Sequence, residues 1–408
     1  MVPKGWKSVY LNDISEKIMV GIASAATHAY CDDGIRMLRN LNIKDGWIDD
    51  SDILFVNEEY EKQHKNKRLK TGDILTVRTG YPGVSAVVPE KYNNAQCFTS
   101  LITRLNTSNA LPAYICRFIN SEYGKKYITS GEAGGAQKNV NAAILKKMRI
   151  PLPPLLEQQK IGNILSTWDK AISTTERLIE NSTQQKKALM QQLLTGKKRL
   201  LDESGNRFEG EWEKYPVGDI CQSIVPGRNK PKEFDGDIPW VTTPEFQGRY
   251  IPSKLQKNYI SQSVIDECGA KLVPEGAVVI AAVGDLGLTA IASETVVLNQ
   301  QLHAFICGKK VYNEYLFYWL SYQKPYMESI ASKTTIQYMN KKNCESIPVG
   351  LPTLEEQQKI ATVLTNADKE IELLEQQLAD LQQEKKALMQ VLLTGKKRVV
   401  DGGVLDGY

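Results

Sequence analysis

Histidine is scarce. The chain has three (His28, His64 and His303) in 408 residues, which leaves little material for a metal centre or a catalytic triad. Its seven cysteines (Cys31, Cys97, Cys116, Cys221, Cys268, Cys307 and Cys344) are odd in number and scattered, with no two at C-x-x-C spacing. The spacing argues against a zinc site or disulfide framework, and reduced thiols of a cytoplasmic protein are the expectation. The longest purely apolar run, 277–283, has seven residues, whereas a membrane span needs about 20. The opening Met1-Val2-Pro3-Lys4-Gly5-Trp6-Lys7-Ser8 has no apolar core of a secretory signal, so a cytoplasmic location is expected. No Asn-Pro-Pro-aromatic or Asp-Pro-Pro-aromatic motif occurs, and no G-x-G-x-x-G follows a strand pattern. An amino-methyltransferase site and a dinucleotide fingerprint are both missing, so the chain is expected to carry no chemistry of its own.

What is present is enough chain for two or three domains, with 42% hydrophobic and 24% charged residues, as in folded soluble proteins. The net charge of +4 is uninformative until it is divided. Residues 1–150 carry 21 lysines and arginines against 15 acidic residues, a surplus of +6. Residues 206–348 carry 15 against 16, or −1. The first block can face a polyanion; the second would need local basic patches.

An internal repeat organises the rest. Leu155-x-Glu157-Gln158-Gln159-Lys160-Ile161 returns as Leu354-x-Glu356-Gln357-Gln358-Lys359-Ile360, 199 residues later. At the same offset, 13 of 14 positions are identical between 186–199 and 385–398, including Leu-Leu-Thr-Gly-Lys-Lys-Arg. Between these ends the apolar residues recur at three-four spacing, the pattern of a long helix with a coiled-coil seam. In the first copy the seam holds Ile161, Leu165, Trp168, Ile172, Ile179, Leu189 and Leu193, interrupted by Thr175, Ser182 and Lys186. In the second it holds Ile360, Leu364, Ala367, Ile371, Leu374, Leu378, Leu381, Leu388 and Leu392, interrupted by Lys385. Proline precedes each helix and Gly196 or Gly395 follows it, as helix boundaries require.

The blocks before the helices correspond more weakly. Gly72-Asp73-Ile74-Leu75-Thr76-Val77-Arg78-Thr79-Gly80 matches Gly276-Ala277-Val278-Val279-Ile280-Ala281-Ala282-Val283-Gly284, each a buried strand entering a glycine turn. Residues 114–119 match 315–320, both as helix. The predicted fold is α+β: two globular mixed α/β domains, two long helices forming an antiparallel coiled coil, and a pseudo-two-fold internal repeat. The boundaries are a first domain at 1–150, a central helix region at 151–199, a linker at 200–211, a second domain at 212–348, a C-terminal helix region at 349–400 and a tail at 401–408.

Given twice over, these motifs make the chain resemble the specificity subunit of type I restriction–modification enzymes over essentially its whole length. The resemblance implies that the two blocks are target-recognition domains for double-stranded DNA and that the helices are spacers recruiting two modification subunits. It implies a bipartite, asymmetric target, because the two blocks differ. Restriction subunits would join where the complex also cleaves. S-adenosylmethionine, and ATP with magnesium for cleavage, would belong to the partner subunits; none is expected on this chain. A protein-interaction scaffold without a DNA role, or a self-contained DNA-modifying enzyme, is the alternative.

Base-reading residues are expected on loops at strand ends. In the first block these are Arg78, Thr79, Gly80 and Tyr81, then Gly134, Gly135, Gln137 and Lys138. Small residues let the backbone approach phosphates, glutamine matches an adenine edge, and lysine meets a phosphate or guanine. In the second block they are Gly284 with Asp285, Lys333, Thr334, Thr335, Gln337 and Tyr338, and the basic stretch around Arg228 and Lys230. Lys197, Lys198 and their repeats Lys396 and Lys397 could touch phosphate or a partner. Arg36 and Arg39 read equally well as ion-pair partners of Asp32 and Asp33.

Overall fold

Both long helices begin and end where their terminal chemistry puts them. Pro153 and Pro154 precede the first, Leu155–Leu193, and Pro352 precedes the second, Leu354–Leu392. Each helix is followed by a glycine in the left-handed region, Gly196 at φ +69° and Gly395 at +75°. The structure is a computed structural model describing residues 2–24, 26–130, 139–227, 229–332, 335–400 and 403–406.

The contacts divide the chain inside both helices: one unit is Met1–Glu176 with Gln376–Tyr408, the other Arg177–Glu375. The expected boundaries followed the motif edges; the packing departs from them because each end of a helix is buried in a different core. In the first unit, Ile161 and Leu165 from one helix and Leu392 from the other join Trp6, Tyr114 and Phe118. In the second, Leu193, Ile360 and Leu364 join Tyr315, Tyr318 and Phe305.

Within each unit the helix segments run antiparallel. Lys186 pairs with Asp368, and Ser182 Oγ with Glu370 Oε1 at 3.1 Å, in the second unit. Lys385 pairs with Asp169 at 2.7 Å in the first. The positions that broke the apolar seam are therefore satisfied: Lys186 and Lys385 are repeat equivalents, as are Asp368 and Asp169. Thr175 is buried and bonds back to the Ala171 carbonyl at 3.0 Å. The named seam positions are all buried or half-buried, as a heptad pattern requires.

The repeated Glu-Gln-Gln motif has a structural task. Glu157 is buried and accepts from Arg398 Nε and Nη2, both at 2.8 Å, from Trp6 Nε1 at 3.0 Å and from the Val399 N–H at 3.1 Å. Glu356 accepts from Arg199 Nε at 2.6 Å and Nη2 at 2.7 Å. Burial would raise the Glu157 carboxyl, but the Arg398 and Trp6 hydrogen bonds outweigh it and hold the group below its ordinary range. Next in sequence, Gln158 Oε1 accepts from the Leu111 N–H (2.8 Å), and its amide donates to Asn109 and Pro153 carbonyls. Gln357 repeats this with Tyr312, Lys310 and Pro352.

The blocks are α+β, as predicted. The first unit has a four-stranded antiparallel sheet in the order Ser15–Val20, Leu101–Leu105, Ile74–Thr76, Ser85–Val87, a second four-stranded sheet, and the ribbon of Lys7–Tyr10 with Arg149–Leu152. The second unit has a five-stranded sheet with Val278–Ala281 at its centre, a four-stranded sheet, and the equivalent ribbon of Glu213–Pro216 with Pro348–Leu351. Cys221 and Cys307 face each other across two paired strands and are unbridged.

Two segments differ from expectation. The linker at 200–211 is a turn: Leu201 bridges Arg207, the Asp202 N–H donates to the Asn206 carbonyl (2.7 Å), and the Asp202 side chain accepts from the Asn206 N–H (2.8 Å). Its polar, glycine-bearing composition is turn chemistry. Part of the tail is a strand, Gly403–Asp406, paired antiparallel with Lys397–Val400. The β-branched residues on both sides of Asp401-Gly402 are the hairpin signal in this segment.

The two tryptophans at the ends of these units make a matched test. Trp6 Nε1 has a charged acceptor, whereas Trp212 Nε1 is buried without one. Trp6→Phe is expected to cost about 1.5–3 kcal/mol more than Trp212→Phe, read as the shift in urea midpoint. A second outcome concerns acid. His303 Nε2 lies 2.6 Å from Ser223 Oγ, and burial pushes its pKa down to about 4 from 6.5. The unfolded chain binds a proton there that the fold refuses, so stability rises with pH from about 4 to 6.5 and is lost as pH falls through that window. His303→Gln should flatten that part of the stability–pH curve, measured by urea unfolding at several pH values.

Candidate nucleic-acid interface

In the first unit the buried strand Ile74–Thr76 delivers the chain to a turn at 78–83. The Val77 N–H bonds the Val84 carbonyl (2.8 Å) and the Gly83 N–H bonds the Val77 carbonyl (2.9 Å). Gly80 has φ +86° and Gly83 +93°, conformations that a side chain would strain. At Gly83 a Cβ would also lie 3.0 Å from Ile128 Cδ1. The turn is held from outside by Asn40. Its amide donates to Thr79 Oγ1 (2.9 Å), its carbonyl accepts from Tyr81 OH (2.7 Å), and its side-chain oxygen accepts from Ser100 Oγ (2.8 Å). Arg78 is half-buried with its Nε unpartnered, and its carbonyl accepts from the Val140 N–H at 3.0 Å.

The second unit repeats the plan with different residues. Val278–Ala281 leads to Gly284 at φ +79° and Gly287 at +86°. The Gly284 N–H bonds the Gln337 carbonyl (2.9 Å), Val283 bridges Tyr338, and the Met339 N–H bonds the Ala282 carbonyl (2.8 Å). The Ala282 N–H bonds Gln301, whose side chain accepts from Thr243 Oγ1 at 3.3 Å. In each unit, then, the glycine turn and the segment before the last short helix form one surface. Gly284, Asp285, Thr335, Gln337 and Tyr338 are exposed on it, as are Thr79, Gly80 and Tyr81 on the first.

Not every expected residue joins these surfaces. Gly134, Gly135, Gln137, Lys138, Arg228, Lys333 and Thr334 lie outside the described residues. Lys230 sits 5.8 Å over the Trp240 ring, and Lys232 pairs with Glu267 at 3.7 Å. Lys197, Lys198, Lys396 and Lys397 are exposed beside the helix ends, while the arginines of the same motif are taken by glutamates. The pairing of Arg36 and Arg39 with Asp32 and Asp33 is not found. Arg39 Nη2 reaches Asp52 at 2.6 Å, and Arg36 donates to the Lys91 carbonyl at 2.9 Å. Arg36 lies in the strand Ile35–Leu38 and Arg39 follows it, so the chain extends away from the aspartate turn at about 3.3 Å per residue. Sequence reading passed over Asn40 and the exposed Leu41 and Trp47 beside it. The available signal was an Asn-Leu-Asn run followed by a solitary tryptophan, about 40 residues from the turn it supports.

Among the described residues no group of three or more His, Cys, Asp or Glu side chains is placed to hold a metal ion, and no helix is long and apolar enough to cross a membrane.

Comparison with known proteins places the chain among relatives. The family model described as the type I restriction modification DNA specificity domain matches twice, over residues 3–182 and 209–383. A Methanocaldococcus jannaschii protein named as the type I restriction enzyme MjaX specificity subunit is 29% identical over 98% of this chain and 95% of its own. The HsdS subunit of Thermoanaerobacter tengcongensis shares the fold, at TM-score 0.54 and 20% identity over 97% of this chain and 98% of that one. So does a chain from a study of complex assembly and conformational transition of the type I R-M system, at TM-score 0.63 and 21% identity over 97% and 99%.

Asn40→Ala should loosen the first turn alone. Losing hydrogen bonds worth about 1 kcal/mol each, the amides of Val77 and Gly83 are expected to exchange at least about fivefold faster. The strand Leu101–Leu105 should keep its protection, both read by hydrogen–deuterium exchange.

Proposed function

Because the chain belongs to the family of type I restriction modification DNA specificity domains, and carries that domain twice, we propose that it reads a bipartite DNA target whose two halves differ. The carrying observation is one framework made twice around two unlike surfaces. The buried Glu–Arg pair, the glutamine clamp and the glycine turn recur in both units, while the residues displayed at the turn do not. The first turn shows Thr79, Gly80 and Tyr81; the second shows Gly284, Asp285, Gln337 and Tyr338.

In this reading the exposed polar groups meet base edges, and backbone and lysine groups meet phosphates. Each turn is tied by backbone bonds to a neighbouring segment, which limits the ordering cost on binding. The chain acts without catalysis of its own, in the cytoplasm, beside two modification subunits and, where the complex cleaves, restriction subunits. Those partners carry S-adenosylmethionine, ATP and magnesium. Methyl transfer to adenine and DNA cleavage are then partner reactions directed to a site this chain selects.

The test is sequencing of methylated bases in DNA from cells expressing the modification subunit with and without this chain. A methyladenine motif in two unlike halves, present only with the chain, is expected. A methylation pattern unchanged by the chain, with the modification subunit shown to be expressed and bound, would overturn the proposal.

A further inference from the structure

The first unit carries a concave surface whose basic lining is not repeated at the equivalent positions of the second unit. A cavity of about 710 Å³ is lined by Tyr10, Tyr123, Tyr127, Lys146, Lys147 and Arg149, with Asn12 and Asp13. Tyr10 and Tyr123 are 41% and 54% exposed on it. The Arg149 guanidinium lies 4.9 Å over the Tyr10 ring and bonds its hydroxyl at 2.9 Å. Asp13 is already engaged, accepting from the Tyr10 N–H at 3.1 Å. No ion pair takes Lys146, Lys147 or Arg149 among the described residues, whereas nearby Lys125 is held by Asp45 at 3.2 Å.

The internal repeat shows that the fold does not require this set. In the ribbon, Tyr10 pairs with Arg149; in the equivalent ribbon, Pro216 pairs with Pro348. The short helix Ala142–Lys146 is capped by Asn141, and its repeat Lys341–Glu345 by Asn340. Lys146 and Lys147 therefore correspond to Glu345 and Ser346, and Glu345 is paired with Lys341 at 3.5 Å. Two of the tyrosines have like counterparts, Tyr123 in Tyr322 and Tyr127 in Tyr326; the Tyr127 hydroxyl donates to the Ile144 carbonyl (3.3 Å) and that of Tyr326 to the Ser346 carbonyl (3.5 Å). One copy of the scaffold thus holds three unpaired cations among exposed tyrosines, and the other holds prolines and a carboxylate.

We propose that this cavity is a second DNA contact, which grips the phosphodiester backbone through Lys146, Lys147 and Arg149 without reading sequence. The inference rests on the DNA-reading function proposed above. Cations not already neutralised by carboxylates release counterions on meeting phosphates, whatever the sequence. It accounts for the placement of part of the +6 surplus in residues 1–150. A protein partner bound alike by both units would need its contacts repeated, and these are not. The first unit would hold DNA by charge as well as by sequence.

The measurement is the salt dependence of binding by the complex of full chain and modification subunits to a duplex of about 40 base pairs lacking the target, where phosphate contacts dominate. Lys146→Gln/Lys147→Gln, which leaves the ribbon untouched, is expected to lower the slope of log affinity against log salt by about 2. Adding Arg149→Gln should bring the loss to nearly 3. Glu345→Gln in the other unit should change it little, and the methylated motif should be the same in all variants. An unchanged slope in an assembled double variant would overturn the proposal. So would loss of assembly with the modification subunits, which would make the cavity a protein-docking surface. Wild-type complex without salt-dependent retention of any duplex would instead refute the DNA-reading function itself.

Discussion

The fold depends on a buried glutamate at the start of each long helix receiving an arginine from beyond the end of the other. Glu157 takes Arg398, and Glu356 takes Arg199. A buried ion pair of this kind adds little net stability compared with apolar packing, but breaking it leaves a charge stranded at a cost of about 3–5 kcal/mol. Its effect is to specify. The end of the second helix must return to the first unit and the end of the first helix must enter the second, so the first unit is made from two separated stretches of chain and the second is the continuous run between them. Neither block buries its own surface fully without a helix end supplied from elsewhere.

The same constraint explains why the repeated motifs are rich in polar residues. Gln158 and Gln357 each fasten the loop before a block helix to the start of a long helix. Tyr114 and Tyr315 each donate to a ribbon carbonyl at 2.6 Å. Lys186 and Lys385 place charges in the seam opposite Asp368 and Asp169. A seam of leucines alone would also pair antiparallel helices, but it would permit shifted registers; a charged partner at one level penalises them. Identity between the copies is concentrated where these contacts are made, and divergence where the glycine turns face outward.

The long helices, their ends and the two glycine turns were legible in the sequence because each rests on local chemistry: heptad spacing, a preceding proline, a left-handed glycine. The partners of those elements were not. Nothing in the spacing tells that Glu157 waits for Arg398, 241 residues away, or that Asn40 props Thr79 and Tyr81. The arginines show the same: Asp32 and Asp33 are near Arg36 in sequence, but Arg36 turns to the Lys91 carbonyl and Arg39 to Asp52. The misread linker and tail show the opposite error. Polar, glycine-bearing composition suggests a linker and a tail, although Asp202 makes a local side-chain bond and Val399-Val400 is β-branched.

The duplication also gives a way to separate scaffold from function without other sequences. A residue present at both equivalent places is accounted for by the frame: Trp6 and Trp212 stack under Arg398 and Arg199 at the same 5.7 Å. A residue present at only one place, in a backbone that is the same at both, is not demanded by folding. Tyr81 against Asp285, and Arg149 against Pro348, are differences of this second kind. They lie on exposed surfaces where side-chain changes ordinarily cost the fold within about 0.5 kcal/mol. A chain that holds one frame twice is thus free to vary what each copy presents, and two different surfaces on one repeated frame are what an asymmetric DNA target requires.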